Sequence, residues 1–215
     1  MFTGLIETIG RVVSAEQRAA ALRLAVDLGR AADGVRPGDS IALSGVCQTV
    51  VSLDRTVAAF DAVAETLART TMGRWQAGTP VHVERSLRPA DRLGGHFVTG
   101  HVDAVGRVVE NRRRRDGWWL GLSAPDDLFS QIAPKGSIAV DGVSLTVVEV
   151  APPAFRIAII PTTLRATTLG DLADGDAVNL ETDLLAKYVR RALAAAAGAD
   201  DRRLLETLKQ SGFLV

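Results

Sequence analysis

The chain has 215 residues, 47% of them apolar, with as many acidic as basic side chains and a formal net charge of zero. That length and apolar content suit one ordinary domain or two small ones and exclude a disordered chain, while zero net charge argues against nucleic acid or an anionic membrane as partner. A single cysteine, Cys47, excludes an intrachain disulfide and fits a reducing compartment.

In chain order, FTGLIETIGRVV (2–13) lacks the basic start and apolar run of a secretory signal, and no later stretch is long and apolar enough to span a bilayer. A cytoplasmic protein is expected. ALRLAVDL (21–28) alternates, with Leu22, Leu24, Val26 and Leu28 on one face, as a strand does. SIALSGVCQTVVSL (40–53), TVAAFDAV (56–63) and TPVHVERS (79–86) are rich in β-branched residues and read as strands, broken by RPGD, SGV, SLDRT and QAGTP. His82 in this alternation is expected at the surface or rim. A short helix fits Ala64–Thr71. LRPADRLGG (87–95) reads as a linker.

After the linker the chain repeats itself. VTGHVDAVGRVV (98–109) shares six of twelve positions with residues 2–13. PKGSIAVDGVSLTVV (134–148) shares nine of fifteen with residues 37–51, and TLRATTLG (163–170) five of eight with residues 66–73. Composition alone gives roughly 6% identity, so the chain is a tandem duplication. The run RRRR (112–115) before DG reads as a charged hairpin turn, and Trp118–Trp119 as packing. About six strands and one helical turn per copy predict a mainly β protein of two tandem six-stranded, Greek-key-type closed barrels. The expected domains are 1–90 and 96–184, followed by a helical tail over 185–215. In that tail Asp183 is a cap candidate for DLLAKYVRRALAAAAG, and DDRRLLETLKQSG follows the same grammar.

The copies differ in side-chain chemistry within their matching blocks. Leu5 pairs with His101, Gly38 with Lys135, Cys47 with Ser144, Glu65 with Thr162 and Ser86 with Asp183, whereas Ser40, Thr49 and Thr66 recur as Ser137, Thr146 and Thr163. Two related clefts with unlike groups suit two related ligands in different roles. Each residue alone has a plain reading: a lone cysteine is usually a small core hydrophobe, and a turn lysine is usually solvated. The histidines and the cysteine lack metal-ligand spacing, apart from the weak signal of His96 and His101 five apart, and the segment GGH lacks the strand–loop–helix context of a phosphate loop.

The ordered segments MFTGLIE, SGVCQTV, GGHFVTGHVD, KGSIAVDGVSLTV, IPTTLRATTLG and VNLETDLLAKYV resemble the riboflavin synthase family over essentially the whole chain. The resemblance implies a homotrimer assembled by the tail, an association with lumazine synthase, and no cofactor or metal. It implies dismutation of two 6,7-dimethyl-8-ribityllumazine molecules at a site between the first barrel of one subunit and the second barrel of a neighbour. It assigns ring contacts in the first barrel to Gly4, Leu5 and Ile6, and in the second to Gly100, His101 and Val102. Cys47, Gln48 and Thr49, and likewise Ser144, Leu145 and Thr146, match paired pocket segments. Asp61, Ala62, Val63, Ala64, Glu65 and Thr66 match one ribityl- and ring-holding segment; Ala158, Ile159, Ile160, Pro161, Thr162 and Thr163 match the other. Lys135 matches a substrate contact. Ser40, Cys47, His101, Ser144 and Asp183 match polar positions tied to proton transfer or nucleophile activation. In this picture His101 handles a methyl proton, and Ser40 or a water it orients, near Asp183 across the interface, adds to the acceptor ring. The chain departs from the family pattern at Ser44, Gln48, Thr162 and Arg165, where Asn, Leu, His or Glu, and Glu are expected. A non-catalytic lumazine- or flavin-binding protein on the same duplicated fold is the alternative; a flavin reductase would need a nicotinamide domain for which no chain remains.

Overall fold

The computed structural model describes residues 1–18 and 21–195. The first copy contributes β1 (Thr8–Gln17), β2 (Ala21–Asp27), β3 (Ser40–Leu43), β4 (Val46–Asp54), β5 (Val57–Val63), a short α1 (Ala64–Arg69) and β6 (Pro80–Arg85). The second contributes β7 (Ala104–Arg114), β8 (Gly117–Ser123), β9 (Ser137–Val140), β10 (Val143–Ala151), β11 (Ala154–Ile159), α2 (Pro161–Ala166) and β12 (Ala177–Thr182). The strands close into two antiparallel barrels, β1-β2-β5-β4-β3-β6 and the matching circuit of β7–β12. Closure removes every sheet edge.

Alternation fills each barrel as the sequence predicts. Leu22, Leu24 and Val26 of β2 point inward with Phe60 and Val83; Leu120, Leu122, Phe155 and Ile157 do the same in the second barrel. Four Val-Val pairs break the alternation. Val12, Val50, Val108 and Val147 are buried, and each is followed by an exposed valine. Register shifts fall at these same positions in both copies. Each pair marks a β-bulge, where one extra residue bends the strand and tightens the curvature that closure needs.

The barrels meet tip to tip. The two-residue turns Ser44–Gly45 and Asp141–Gly142 have positive φ at both positions, the hairpin geometry that matches strand twist. A Cβ on Gly45 would lie 2.6 Å from the Gly142 nitrogen, and one on Gly142 as close to the nitrogen of Gly45, so the two backbones touch only because both are glycine.

His82 corrects an expectation. Its strand alternates, but its outward side faces the other barrel, and it is fully buried. The ring bonds the Asp141 carbonyl through Nδ1 (2.8 Å), while the Thr168 amide donates to Nε2 (3.0 Å). A carbonyl can only accept, so Nδ1 carries the proton and the ring is neutral. Its repeat mate Asn179 makes the same two links with an amide, Nδ2 to the Ser44 carbonyl (2.9 Å) and Oδ1 from the Thr71 amide (2.8 Å).

Beyond β12 a third helix, α3, runs from 184 to 195 within the described residues. Asp183 caps it, accepting from the Leu185 amide (2.9 Å). The rest of the expected tail, including its second helical segment, lies outside the described residues.

Candidate functional site

Two straps precede the barrels, residues 2–6 and 98–102. They pair through reciprocal Phe2 and Val98 amide–carbonyl bonds (2.7 and 3.1 Å) and share a small core of Phe2, Val98, Ala42 and Ala139. Each strap is held by a buried glutamate at the end of its own barrel. Glu84 accepts from the Thr3 amide and hydroxyl and the Gly4 amide (2.6, 2.7 and 3.0 Å); Glu181 does the same for Thr99 and Gly100 (2.7, 2.6 and 2.9 Å). Burial raises the Glu84 carboxyl above its ordinary range, against the lowering pull of these donors.

The straps then cross. The Ser144 amide donates to the Gly4 carbonyl and the Cys47 amide to the Gly100 carbonyl, both at 2.8 Å. Ile6 packs on the core of the second barrel and Val102 on that of the first. By these contacts Gly4 and Ile6 lie against the second barrel, and Gly100, His101 and Val102 against the first. Positive φ at Gly4 and Gly100 turns each strap over its partner, and the close approach to Ser144 and Cys47 leaves no room for a Cβ. Sequence comparison aligns a strap with its own copy; the crossing is a fact of three dimensions.

The first cleft, about 190 Å³, is lined by Cys47, Glu65, Thr66, Arg69, Thr70, Gly100, His101 and Val102 with Val46. Glu65 and Arg69 pair one turn apart on α1 (2.5 Å). His101 is exposed; its amide is bonded to the Thr99 hydroxyl (3.3 Å), so the strap sets its position. On the outer wall, Asp61 of β5 pairs with Arg23 of β2 through both carboxylate oxygens. Its repeat mate Ala158 lies opposite Trp119, whose ring carries Arg114 at 5.2 Å. The two walls therefore differ: an ion pair on one, an indole on the other.

In the second barrel Ser144 is the meeting point. His96 Nδ1 bonds its Oγ at 2.7 Å, Gly4 and Gly95 pack on it, and the negative charge of Asp183 acts on the His96 ring. Burial lowers the His96 pKa, with Asp183 pulling the other way. Among the described residues, His96 Nε2 is the one buried side-chain polar atom without a partner. An unpaired buried polar atom costs about 1–3 kcal/mol and marks a place where a ligand or a proton transfer would satisfy it. The sequence reading missed His96 because it precedes the segment that the copies share and has no counterpart in the first; its signal was a histidine two positions before that strap.

Other expected residues are placed less centrally. Gln48, Ala62, Leu145 and Ile159 are buried, so only their backbones can face a cleft. The Gln48 amide is spent on the Cys47 carbonyl (2.9 Å). Thr49, Val63, Ala64, Thr146, Ala158, Ile160 and Pro161 are exposed along the outer walls and first helical turns, with Thr162 and Thr163 beside them on α2. Ser40 stands opposite Thr49 in the β3–β4 ladder. Lys135 occupies an exposed turn at positive φ before β9, its amide donating to the Val147 carbonyl (2.7 Å). Arg165 donates to Thr162 on α2 (3.4 Å).

Comparison with known proteins agrees with the duplicated fold. The lumazine binding domain family matches residues 3–86 and again 99–183. The riboflavin synthase of Actinobacillus pleuropneumoniae is 36% identical, covering 99% of this chain and 100% of its own; that of Mycobacterium bovis is 41% identical, covering 91% and 100%. Among solved structures, LumP complexed with riboflavin superposes with a TM-score of 0.76 at 26% identity, covering 85% of this chain and 99% of its own. LumP complexed with 6,7-dimethyl-8-(1'-D-ribityl) lumazine gives the same score at 24% identity, a likeness of fold. The duplicated domain and relatives matched over nearly their full length place the chain in the riboflavin synthase family, a family of enzymes built on two lumazine binding domains.

Proposed function

We propose that the chain converts two molecules of 6,7-dimethyl-8-ribityllumazine into riboflavin and 5-amino-6-(D-ribitylamino)uracil by moving a four-carbon unit from one to the other. Atoms and electrons balance between the two substrates and the two products, so the reaction draws on no oxidant or outside carbon donor. The observation that carries this reading is the pair of strap crossings, Gly100 on Cys47 beside the first cleft and Gly4 on Ser144 in the second barrel. They share one ancestry, so both suit the same ligand. Their groups differ: Cys47, Glu65, Arg69 and His101 in one, Ser144, His96 and Asp183 in the other.

One molecule then acts as donor and one as acceptor. The methyl beside an electron-poor ring carbon is already acidic, so His101 suffices to take its proton, contributing about 10²–10⁴-fold. Ser40, or a water that it orients, adds to the acceptor ring with Asp183 supplied by a neighbouring subunit; activating a held water is easier than ionising a serine. Holding two rings in register supplies the largest share, about 7–11 kcal/mol. Leu185, Tyr188, Val189 and Leu193 form an exposed stripe along α3 that supports self-association as a trimer, with the first cleft of one subunit facing the second of the next.

A second reading, a carrier that binds lumazine and does no chemistry, is favoured by the likeness to ligand-bound LumP. One experiment separates the two. The protein is incubated with 6,7-dimethyl-8-ribityllumazine and the products are resolved by chromatography. One riboflavin for every two lumazines consumed supports the synthase; tight binding with no riboflavin leaves the carrier.

A further inference from the structure

We infer that Lys187 is a positioning residue for this reaction: from α3 it holds, through Asp103, the strap that carries His101. The inference rests on the function proposed above. The strap is clamped at two points. At its head Glu181 takes the amides of Thr99 and Gly100. At its tail one Asp103 oxygen accepts from the Thr182 amide (2.8 Å) and hydroxyl (2.9 Å), and the other meets Lys187 Nζ at 2.7 Å. His101 sits between the clamps with its ring exposed.

The duplication supplies the contrast. The corresponding tail of the first strap is Glu7, and its cation is Arg85 at the end of β6, within the same barrel (2.7 Å). In the second copy the position of Arg85 is taken by Thr182, which brings no charge. The cation comes instead from α3, the helix whose outer stripe is Leu185, Tyr188, Val189 and Leu193. Arg190 fastens the same helix to the second barrel at the Asp127 carbonyl (3.3 Å). The strap bearing the proton-handling histidine is thus the one tied to the assembly helix, and α3 docking sets the position of His101 over the first cleft.

The test uses the full chain and four variants: Lys187→Met, Lys187→Arg, His101→Ala, and Lys187→Met with His101→Ala. A group displaced by about 1 Å can cost about 10²-fold in rate, so Lys187→Met is expected to lower kcat between about 10- and 100-fold with KM little changed. Lys187→Arg should recover most of the rate. Added to His101→Ala, Lys187→Met should lower kcat no further. Amide hydrogen exchange at residues 99–103 should quicken in Lys187→Met without any substrate, with sedimentation and melting temperature close to those of the parent, since one partly exposed ion pair adds little to global stability. An unchanged kcat, a loss that multiplies in full with that of His101→Ala, or a loss that tracks dissociation of the assembly would each overturn the inference. If the parent protein makes no riboflavin, the proposed reaction fails, and exchange at 99–103 still decides whether Lys187 holds the strap.

Discussion

At the scale of residues, the two histidines near the straps are held in opposite ways. His101 has an exposed ring placed by its backbone, whereas His96 is buried with one nitrogen on Ser144 and the other unpaired. Substituting each neighbourhood should therefore read out differently. His101→Ala is expected to lower kcat by about 10²–10⁴-fold while leaving the urea midpoint nearly in place, because exposed side chains rarely move stability by more than about 0.5 kcal/mol. Ser144→Ala strips His96 of its remaining partner and should cost about 1–3 kcal/mol in urea unfolding. Cys47→Ala removes a half-buried thiol packed against the small strap core and should cost less, about 1 kcal/mol. Equal losses at Ser144 and Cys47 would mean that the His96 bond contributes nothing. The differences Leu5/His101 and Cys47/Ser144 were legible by aligning the chain with itself; His96 was not, since it lies where the copies do not overlap.

At the scale of elements, the junction between barrels carries the pH dependence. Burial pushes the His82 pKa down to about 4, with the Asp141 carbonyl pulling the other way. The unfolded chain binds that proton near pH 6.5, so between about 6.5 and 4 it holds more protons than the folded one, and stability falls as pH falls. Asp141 acts in reverse. Burial raises its pKa to about 7, so its contribution is present below about pH 4 and is lost as pH rises through 7. His82→Asn copies Asn179, which makes the same two links without titrating. Thermal unfolding across pH 4–7 should show the acid-side loss removed in His82→Asn, a change of slope of up to about 1.4 kcal/mol per pH unit. A profile parallel to that of the parent would show that the ring already titrates normally in the fold. Strand alternation correctly gave β6, yet it could not say what its outer face meets, so His82 read as a rim residue.

At the scale of the whole molecule, both strap crossings belong to one chain, and the proposed site needs two chains. Variants damaged in different clefts should then complement each other. If His101→Ala and Ser144→Ala each lower turnover alone, they should regain riboflavin formation when unfolded together and refolded as a mixed assembly, because one interface then joins an intact His101 side to an intact Ser144 side. No recovery would place both clefts of a working site in the same subunit. Leu185→Glu with Val189→Glu on the exposed stripe of α3 should dissociate the assembly on sedimentation and abolish turnover, while the circular dichroism of the barrels persists.

The sequence by itself determined the duplication, about six strands per copy, the inward face of residues 22–28, the break at SGV, the start of α3 and the list of polar differences between copies. These are local or self-comparing properties: alternation, turn chemistry, and identity at a fixed offset. Only the tertiary structure decided which barrel each strap serves, that His82 is buried between barrels, that Gln48 turns inward, and that Asp103 finds its cation on α3. The physical reason is the same for all four. Each depends on contacts between segments some 50 to 140 residues apart or on which side of a strand meets another body, and a single chain's pattern records that a face is apolar or polar without recording what lies against it.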